Sequence, residues 1–216
     1  MKSVLIIGMG RFGKHLCMNM AKLGNQIMIV DDHEENLEGL LPYVVSAKIG
    51  DCTNEEVLKS LGISNFDVCF ICIGTNFQSS LEITSLVKEL GGKYVVSKAT
   101  RDIQAKFLLR NGADEVIYPD RDEAEKLAMK FSANHIYDYI EVSEDYSIYE
   151  IPPIPEWVDK SLRELDIRNK YSINIIGIKK GERVSLITAA DYKIKGDDHL
   201  MILGRKEDAD KVLKKL

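Results

Sequence analysis

The sequence predicts an α/β protein in which a doubly wound parallel sheet is followed by a small α+β domain. Three observations support this prediction. Short apolar runs alternate with amphipathic stretches of helical length from the N-terminus to about residue 118. The first apolar run leads directly into the glycine-rich turn "GMGRFG", and after residue 118 the alternation stops and the proline-rich stretch "IPPIP" appears. Strands that alternate with helices favour right-handed crossovers and a parallel sheet covered on both faces.

The composition excludes several classes of protein. The chain has 216 residues, enough for two domains, with 45% hydrophobic residues and a formal net charge of −5. This acidic balance argues against a nucleic-acid partner, because such proteins usually carry a basic face that displaces counterions from phosphates. No apolar run approaches the roughly 18 to 20 residues that span a bilayer, and no cleavage-like site follows "MKSVLIIG". We therefore expect a soluble, cytoplasmic protein.

The elements of the first domain follow from the apolar pattern. Strands are predicted at residues 3–7, 26–30, 44–49, 68–73, 94–97 and 115–118, and helices at 11–23, 34–41, 54–61, 77–90 and 101–111. Six strands in this order of elements predict a Rossmann-type domain. The four cysteines, Cys17, Cys52, Cys69 and Cys72, are interpreted as core residues, since the last two lie three positions apart on a predicted strand and point to opposite faces.

The C-terminal part is predicted to be smaller and mixed. Asp120 and Asp122 favour the start of a helix that carries Ala124, Leu127, Ala128 and Phe131 on one face, for packing on its own domain or on a partner. The prolines then indicate a boundary. Beyond it we expect a helix at 160–165, strands at 173–179, 184–188 and 199–203, a turn at Gly181 and Glu182, and a last helix at 206–216. The predicted divisions are a nucleotide-binding domain at 1–137, a linker at 138–155 and a C-terminal domain at 156–216.

The glycine-rich turn predicts a nucleotide site. Gly8, Gly10 and Gly13 fit the pattern G-x-G-x-x-G between a predicted strand and a predicted helix, which places phosphates at the helix N-terminus. Asp31 follows the second strand, where an acid binds ribose hydroxyls and disfavours a 2′-phosphate; the alternative is that it caps the next helix. Asp51 and Gly74 follow the third and fourth strands, also at the ligand edge of such a sheet.

Arg11 gives the sharper prediction, because it follows the second glycine directly. A guanidinium there suits the terminal phosphate of ATP or ADP better than the pyrophosphate of NAD. The alternative is an arginine that faces solvent on the first helical turn.

Catalytic groups are not evident in the sequence. Tyr94 and Lys98 have the Tyr-x-x-x-Lys spacing of short-chain dehydrogenases, but in a strand this spacing separates them by roughly 13 Å. The histidines, His15, His33, His135 and His199, are scattered without companions at metal-ligand spacing. We therefore expect a binding protein and no enzyme, with an NAD-dependent oxidoreductase as the alternative function and a free-standing nucleotide-responsive module as a third reading.

Longer stretches resemble a known family. They are "VLIIGMGRFGKHL", "VDDHEENLEGL", "GDCTNEEVLKSLGISNFD", "CIGTNFQSSLEIT", "VSKATRDIQAKFLLRNGADEVIYPDRD" and "YSIYEI". In order and spacing they resemble the RCK (regulator of K⁺ conductance) or TrkA family, above all its KtrA-type members, and the resemblance extends over the C-terminal domain. It implies a cytoplasmic regulator that lies at the inner face of the membrane. Such a regulator would form homodimers that assemble into an octameric ring beneath a membrane-embedded potassium channel or transporter subunit. Exchange between bound ATP and bound ADP, or alternatively binding of NAD(H), would change the shape of this ring.

The resemblance also implies specific contacts. Arg11 would reach the terminal phosphate, Asp31 the ribose, and Asp120 a magnesium or other cation across the dimer. Arg168, Asn174 and Ile175 would contact the messenger cyclic di-AMP. The expected nucleotide contacts are Gly8, Gly10, Arg11, Phe12, Gly13, Asp31, Asp32, His33, Asp51, Cys52, Ile73, Gly74, Thr75, Lys98, Ala99 and Gln104.

Overall fold

The chain forms two compact units, Met1–Arg121 and Asp122–Leu216. The computed structural model describes residues 1–132, 137–143, 145–181, 183–186 and 189–216. Among these residues, no helix is both long enough and apolar enough to cross a membrane.

The first unit is built on a six-stranded parallel sheet in the order β3-β2-β1-β4-β5-β6. The chain leaves β1 for β2 and β3 on one side, then returns to β4, β5 and β6 on the other, so the strand order reverses beside β1. In such sheets ligands bind at the carboxyl ends of the strands, next to this reversal. The elements are β1 (Ser3–Ile7), α1 (Arg11–Lys22), β2 (Gln26–Asp31), β3 (Ser46–Ile49), α2 (Glu55–Leu61), β4 (Val68–Ile71), α3 (Phe77–Glu89), β5 (Val95–Lys98), α4 (Asp102–Arg110) and β6 (Glu115–Ile117). This arrangement confirms the predicted fold class.

Side chains of β1 alternate between two cores, one on each face of the sheet. Leu5 and Ile7 belong to one buried cluster, and Val4 and Ile6 belong to the other. The same division separates two cysteines: Cys69 lies in the first cluster and Cys72 in the second. The prediction that these sulfurs diverge is therefore confirmed.

The helix predicted at 34–41 is wrong. The structure has two short 3-10 turns there, Glu34–Asn36 and Leu41–Tyr43. Gly39 between them has a φ of +75°, which is incompatible with a continuous α-helix, and Pro42 lacks the amide needed for helical hydrogen bonding. The other predicted elements of this unit are present with ends that differ by one or two residues.

The second unit contains a five-stranded antiparallel sheet in the order β10-β9-β11-β8-β7. Trp157 is almost completely buried in its core and contacts the ring of Tyr171 at a centroid distance of 5.6 Å. The elements are α5 (Pro119–Ser132), which begins in the first unit, β7 (Asp138–Glu141), β8 (Tyr146–Ile151), α6 (Leu162–Leu165), α7 (Ile167–Tyr171), β9 (Asn174–Lys180), β10 (Arg183–Leu186), β11 (His199–Arg205) and α8 (Lys206–Leu213).

The stretch 138–155, predicted to be a linker, carries β7 and β8 of this sheet. Tyr149 and Ile151 are fully buried, so β8 contributes to the core. Pro152 and Pro153 follow β8 and end the strand, which is why the prolines do not mark a boundary between domains. Of the predicted turn at 181–182, only Gly181 belongs to the described residues, and His135 lies outside them.

The apolar positions of α5 are exposed in this chain. Leu127 and Phe131 retain 44% and 77% of their accessible surface. The predicted face therefore does not form part of a buried core in the described residues.

Candidate functional site

The glycine-rich turn joins β1 to α1 at the carboxyl edge of the sheet. Gly8 has a φ of +92°, a left-handed conformation that suits glycine. A Cβ on Gly13 would lie only 2.1 Å from the carbonyl oxygen of Gly8, so the absence of a side chain allows α1 to approach the strand. At Gly10, no atom of the described residues lies within 4 Å of the corresponding position. The backbone at Gly10 is therefore open to a ligand.

The start of α1 is suited to an anion. Gly10 is the N-cap residue, and among the described residues no side chain caps the helix and no acid lies in its first turn. The first amides of a helix carry partial positive charge. Arg11 is exposed and adds a full positive charge at the same place. This combination favours a phosphate group.

Asp31 holds the loops beside the glycine-rich turn together. One oxygen of its carboxylate accepts a hydrogen bond from the backbone amide of Met9 at 2.6 Å. The other accepts from the amide of His33 at 3.0 Å and from Nδ2 of Asn36 at 2.8 Å. Burial opposes ionisation of Asp31, but the hydrogen bonds from Asn36, Met9 and His33 outweigh it and lower its pKa. Three acceptor positions are thus used within the chain, and little capacity is left for a ligand.

Asp32 and His33 lie at the exposed rim beside Asp31. The two side chains are both 61% exposed, and Nδ1 of His33 lies 2.6 Å from a carboxylate oxygen of Asp32. This hydrogen bond and the negative charge of Asp32 raise the pKa of His33. Asp32 therefore offers the accessible carboxylate at the end of β2.

Asp51 and Cys52 follow β3. The carboxylate of Asp51 accepts hydrogen bonds from the hydroxyl and the amide of Thr53, at 2.7 and 2.9 Å, and these lower its pKa. Burial raises the pKa of Cys52 and of Cys72 to about 12, so both thiols remain protonated at neutral pH. They are not activated nucleophiles.

Lys98 is the last residue of β5. In the strand order, β5 lies on the side of β1 opposite to β2 and β3. The Lys98 side chain is 15% exposed, and Nζ lies 3.6 Å from a carboxylate oxygen of Asp120. Nζ is also 5.7 Å from the centroid of the Phe12 ring. Asp120 belongs to the first turn of α5 and is 86% exposed.

These side chains line one cleft of about 570 Å³. Its charges are unevenly distributed: the acids Asp31, Asp32 and Asp51 follow β2 and β3, whereas Arg11 and Lys98 lie at the start of α1 and the end of β5. The volume and the concave form fit a small-molecule ligand such as a nucleotide.

Residues 4–119 match the TrkA-N domain family, and residues 146–216 match the TrkA-C domain family. The chain belongs to the RCK/TrkA family. The recognition made from the sequence motifs is thereby confirmed.

Relatives of this RCK/TrkA protein match it over almost its whole length. The Ktr system potassium uptake protein C of Bacillus subtilis (strain 168) is 37% identical, covering 100% of this chain and 97% of the relative. The Ktr system potassium uptake protein A of the same organism is 35% identical, covering 96% and 93%. The protein A of Vibrio alginolyticus is 26% identical, covering 100% and 98%. These relatives are proteins of potassium uptake systems, which supports the expectation of a binding protein.

Solved structures show the same fold. The GsuK RCK domain has a TM-score of 0.67 at 17% identity, covering 99% of this chain; the chain spans about half (47%) of that longer chain. The Shewanella denitrificans Kef C-terminal domain in its AMP-bound form has a TM-score of 0.52 at 23% identity, covering 59% of this chain and 78% of that one.

Most of the nucleotide contacts expected from the sequence line the cleft. Three do not: Gly13 packs against Gly8, Ala99 is buried, and the side-chain oxygen of Gln104 accepts hydrogen bonds from Thr100. Those that line it are Gly8, Gly10, Arg11, Phe12, Asp31, Asp32, His33, Asp51, Cys52, Ile73, Gly74, Thr75 and Lys98.

The cleft also contains polar residues that the sequence analysis missed. They are Asn36, Thr53, Asn76, Ser79 and Thr100. Asn76 could have been predicted from the sequence, because it directly precedes a predicted helix, where asparagine is a common cap. In the structure its side chain caps α3 by accepting a hydrogen bond from the Ser79 amide. Asn36 could not have been predicted, since its contact with Asp31 depends on the 3-10 turn that replaces the expected helix.

The dehydrogenase-like pair is separated in the structure. The hydroxyl of Tyr94 donates to Glu115 at 2.8 Å, whereas Lys98 pairs with Asp120. The two side chains contact different neighbours and do not form the pair that a short-chain dehydrogenase needs.

Proposed function

We propose that this chain is a nucleotide-sensing regulatory subunit of a potassium channel or transporter, in which ATP and ADP compete for the cleft of the first unit. The observation that carries the proposal is the start of α1, uncapped within the described residues, with open space at Gly10 and the guanidinium of Arg11 beside it. A nucleotide would place its phosphates there and its ribose and base toward the acids after β2 and β3.

The choice of adenine nucleotides rests on Arg11. A guanidinium forms its strongest contacts with a terminal phosphate, which carries more charge than the pyrophosphate of NAD. Solved relatives by fold include a GsuK channel bound to NAD, GsuK bound to ADP, and a Kef domain bound to AMP. NAD(H) is therefore the second ligand to test.

The regulatory mechanism is a linkage between ligand and conformation. A nucleotide shifts an equilibrium between two shapes only by its difference in affinity for them, and a γ-phosphate contact at Arg11 supplies such a difference. We infer that the chain forms homodimers that assemble into an octameric ring on a membrane-embedded potassium subunit at the cytoplasmic face. The full-length likeness to Ktr system proteins supports this assembly. Light scattering with and without ATP, and co-purification with a candidate membrane subunit, test it.

Arg11→Ala tests the nucleotide proposal directly. We expect the ratio of ATP to ADP affinity, measured by titration calorimetry, to fall clearly below that of the unaltered chain while AMP still binds. Lys14→Ala is the matched control, since Lys14 belongs to the same helix but does not line the cleft. If Arg11→Ala discriminates between ATP and ADP as the unaltered chain does, Arg11 is not the sensing residue.

A cation at Asp120 is not supported by this chain's own residues. The one group of three or more His, Cys, Asp or Glu side chains found close enough to share an ion, within the described ranges, is Asp31, Asp32 and His33. Asp120 is paired with an ammonium group instead. A magnesium site there stays a prediction, and no step of the proposed mechanism depends on it.

Cyclic di-AMP binding is a separate proposal for the second unit. Arg168 and Asn174 are exposed and Ile175 is half-buried, so a charged, a polar and an apolar group are accessible. Calorimetry with cyclic di-AMP and an Arg168→Ala variant tests it. If the affinity of Arg168→Ala for cyclic di-AMP equals that of the unaltered chain, Arg168 does not contact this ligand.

A further inference from the structure

The ion pair between Lys98 and Asp120 lies within the cleft that we assign to the nucleotide. Both side chains line this cleft, together with Gly10, Arg11 and Phe12. Among the described residues, Asp120 is the carboxylate within ion-pairing distance of the Lys98 ammonium, at 3.6 Å. The charge of Lys98 is therefore balanced by the chain itself at a position accessible to a ligand.

The strand order places Lys98 on the phosphate side of the cleft. Going from β2 to β5 crosses β1 and β4, which is three strand spacings or about 14 Å. Asp31 and Asp32 lie at the end of β2, and the helix start at Gly10 lies between them and Lys98. A nucleotide with its ribose near the acids would extend its phosphates past Gly10 toward Lys98. Lys98 therefore lies at the phosphate end of the cleft and not at the adenine end.

The two partners of the ion pair differ in their freedom to move. The Lys98 side chain is 15% exposed, and its stem lies along Gly74, where a Cβ would be 3.5 Å from Nζ. Asp120 is 86% exposed. The ammonium is therefore held in place by its surroundings, whereas the carboxylate can rotate into solvent at little cost.

We propose that Asp120 is an internal competitor for the terminal phosphate: it pairs with Lys98 in the nucleotide-free chain and is displaced when a phosphate reaches the ammonium. This inference rests on the proposed nucleotide function and deepens it. A terminal phosphate carries more negative charge than one carboxylate and offers three oxygens to the ammonium. Lys98 thus joins Arg11 in recognising phosphate-chain length, and Asp120 sets the affinity threshold.

The displacement acts on the first turn of α5. Asp120 belongs to that turn, and Asp122, two residues later, is the first residue of the second unit. Nucleotide binding therefore exchanges a contact at the position where the chain passes from one unit to the other. This gives the phosphate a direct effect on that helix start.

The test is a set of calorimetric titrations on the full chain in EDTA, with ATP, ADP and AMP. Asp120→Asn removes the competing charge, and we expect ATP to bind about three- to fivefold more tightly, the range set by the energy of an exposed ion pair. AMP affinity should remain unchanged. Lys98→Met should weaken ATP binding and remove the effect of Asp120→Asn in the double variant. Asp102→Asn is the control, because Asp102 pairs with Arg121 and does not line the cleft.

The outcomes separate this inference from the proposed function. If AMP and ATP both fail to bind the unaltered chain, the nucleotide function itself is wrong. If both bind but Asp120→Asn leaves ATP affinity in EDTA unchanged or lower, Asp120 is not a competitor and the inference is overturned. A loss that appears only when magnesium is added, with no gain in EDTA, overturns it also and assigns Asp120 to a metal ion. If ATP also binds more tightly to Asp102→Asn, the gain in Asp120→Asn reflects the net charge of the chain, and the inference is overturned.

Discussion

The carboxylate of Asp31 accepts a hydrogen bond of 2.6 Å from the backbone amide of Met9, which joins the end of β2 to the glycine-rich turn. Met9 is the residue between the first two glycines of the turn, and both partners are buried. The bond fixes the turn to the end of β2. The acid that the motif predicts to bind ribose is thus also a structural part of the turn that we propose as the phosphate site.

Asp31→Ala should destabilise the first unit by about 2 to 3 kcal/mol, because the buried Met9 amide loses a charged acceptor. Asp31→Asn should cost less, since its carbonyl oxygen can still accept from Met9. Thermal unfolding followed by circular dichroism measures the loss, and hydrogen exchange of the Met9 amide locates it. A Met9 amide as protected in Asp31→Ala as in the unaltered chain would contradict this role.

The pH dependence of this stabilisation follows from the lowered pKa of Asp31. A lowered pKa means that the folded state binds the proton less well than the unfolded state, whose value is near 3.8. The stabilisation is therefore complete above pH 3.8 and is lost as the pH falls through the lower folded value. The difference in stability between the unaltered chain and Asp31→Asn should shrink over the same acidic range.

The two glycines Gly10 and Gly13 should respond differently to alanine. Gly13→Ala places a methyl group 2.1 Å from the carbonyl oxygen of Gly8, a clash with backbone that should cost about 3 kcal/mol or prevent folding. Gly10→Ala meets nothing within 4 Å among the described residues and has a φ of −67°, so stability should change by less than about 0.5 kcal/mol.

Nucleotide affinity should show the opposite order of effects. The methyl group of Gly10→Ala occupies the space in which a phosphate approaches the backbone, and ATP affinity measured by calorimetry should fall at least about tenfold. A Gly10→Ala chain that is stable and binds ATP normally would mean that the phosphates do not lie at this turn.

The sequence predicted the first unit well because its sheet is buried on both faces. Continuous apolar strands such as Ser3–Ile7, alternating with amphipathic helices, leave few alternatives to a parallel sheet. The glycine motif then indicated the edge of the sheet at which the cleft lies. The error at 34–41 arose because the apolar spacing of Leu37, Leu40 and Leu41 is also compatible with a helix, while Gly39 and Pro42 decide against it.

Prediction was weaker for the second unit and for the polar parts of the cleft. The pairing of β8 with β11, such as that of Ile151 with Leu200, is long-range, and local sequence does not encode it. Likewise, the ion pair of Lys98 and Asp120 joins β5 to α5, and no pattern in the sequence predicts that these two residues are paired. Only the folded chain shows that an acid expected to bind a cation is placed on a lysine.

His33 should titrate above its usual value of 6.5, because Asp32 accepts a hydrogen bond from it and adds a negative charge. The folded state therefore holds the proton more tightly; this contribution to stability is present below pH 6.5 and is lost as the pH rises through the raised value. Proton NMR of the imidazole measures the pKa. Asp32→Asn should lower it, whereas Glu38→Gln, which removes an exposed acid five positions along the chain, should not. An equal decrease in both variants would mean that general charge causes the shift.

The second unit contains a buried carboxylate with two basic partners. Glu150 on β8 is 4% exposed, and its two oxygens lie 2.6 Å from Nζ of Lys179 and 2.7 Å from Nδ1 of His199. These partners belong to β9 and β11, so one side chain connects three strands of the sheet. The ring of Tyr137 stacks on the ring of His199 at a centroid distance of 4.4 Å.

Glu150→Ala should destabilise the second unit by about 2 kcal/mol, at the lower end for charged hydrogen bonds because Lys179 and His199 can still reach water. Glu150→Gln should cost less, since its amide oxygen keeps one acceptor. Urea unfolding followed by fluorescence of Trp157, the single tryptophan, reports on this unit alone. Glu156→Ala, the loss of an exposed acid in the same unit, should change stability by less than about 0.5 kcal/mol. If Glu150→Ala costs no more than this control, the three-strand contact does not stabilise the sheet, and hydrophobic burial around Trp157 is sufficient to hold it.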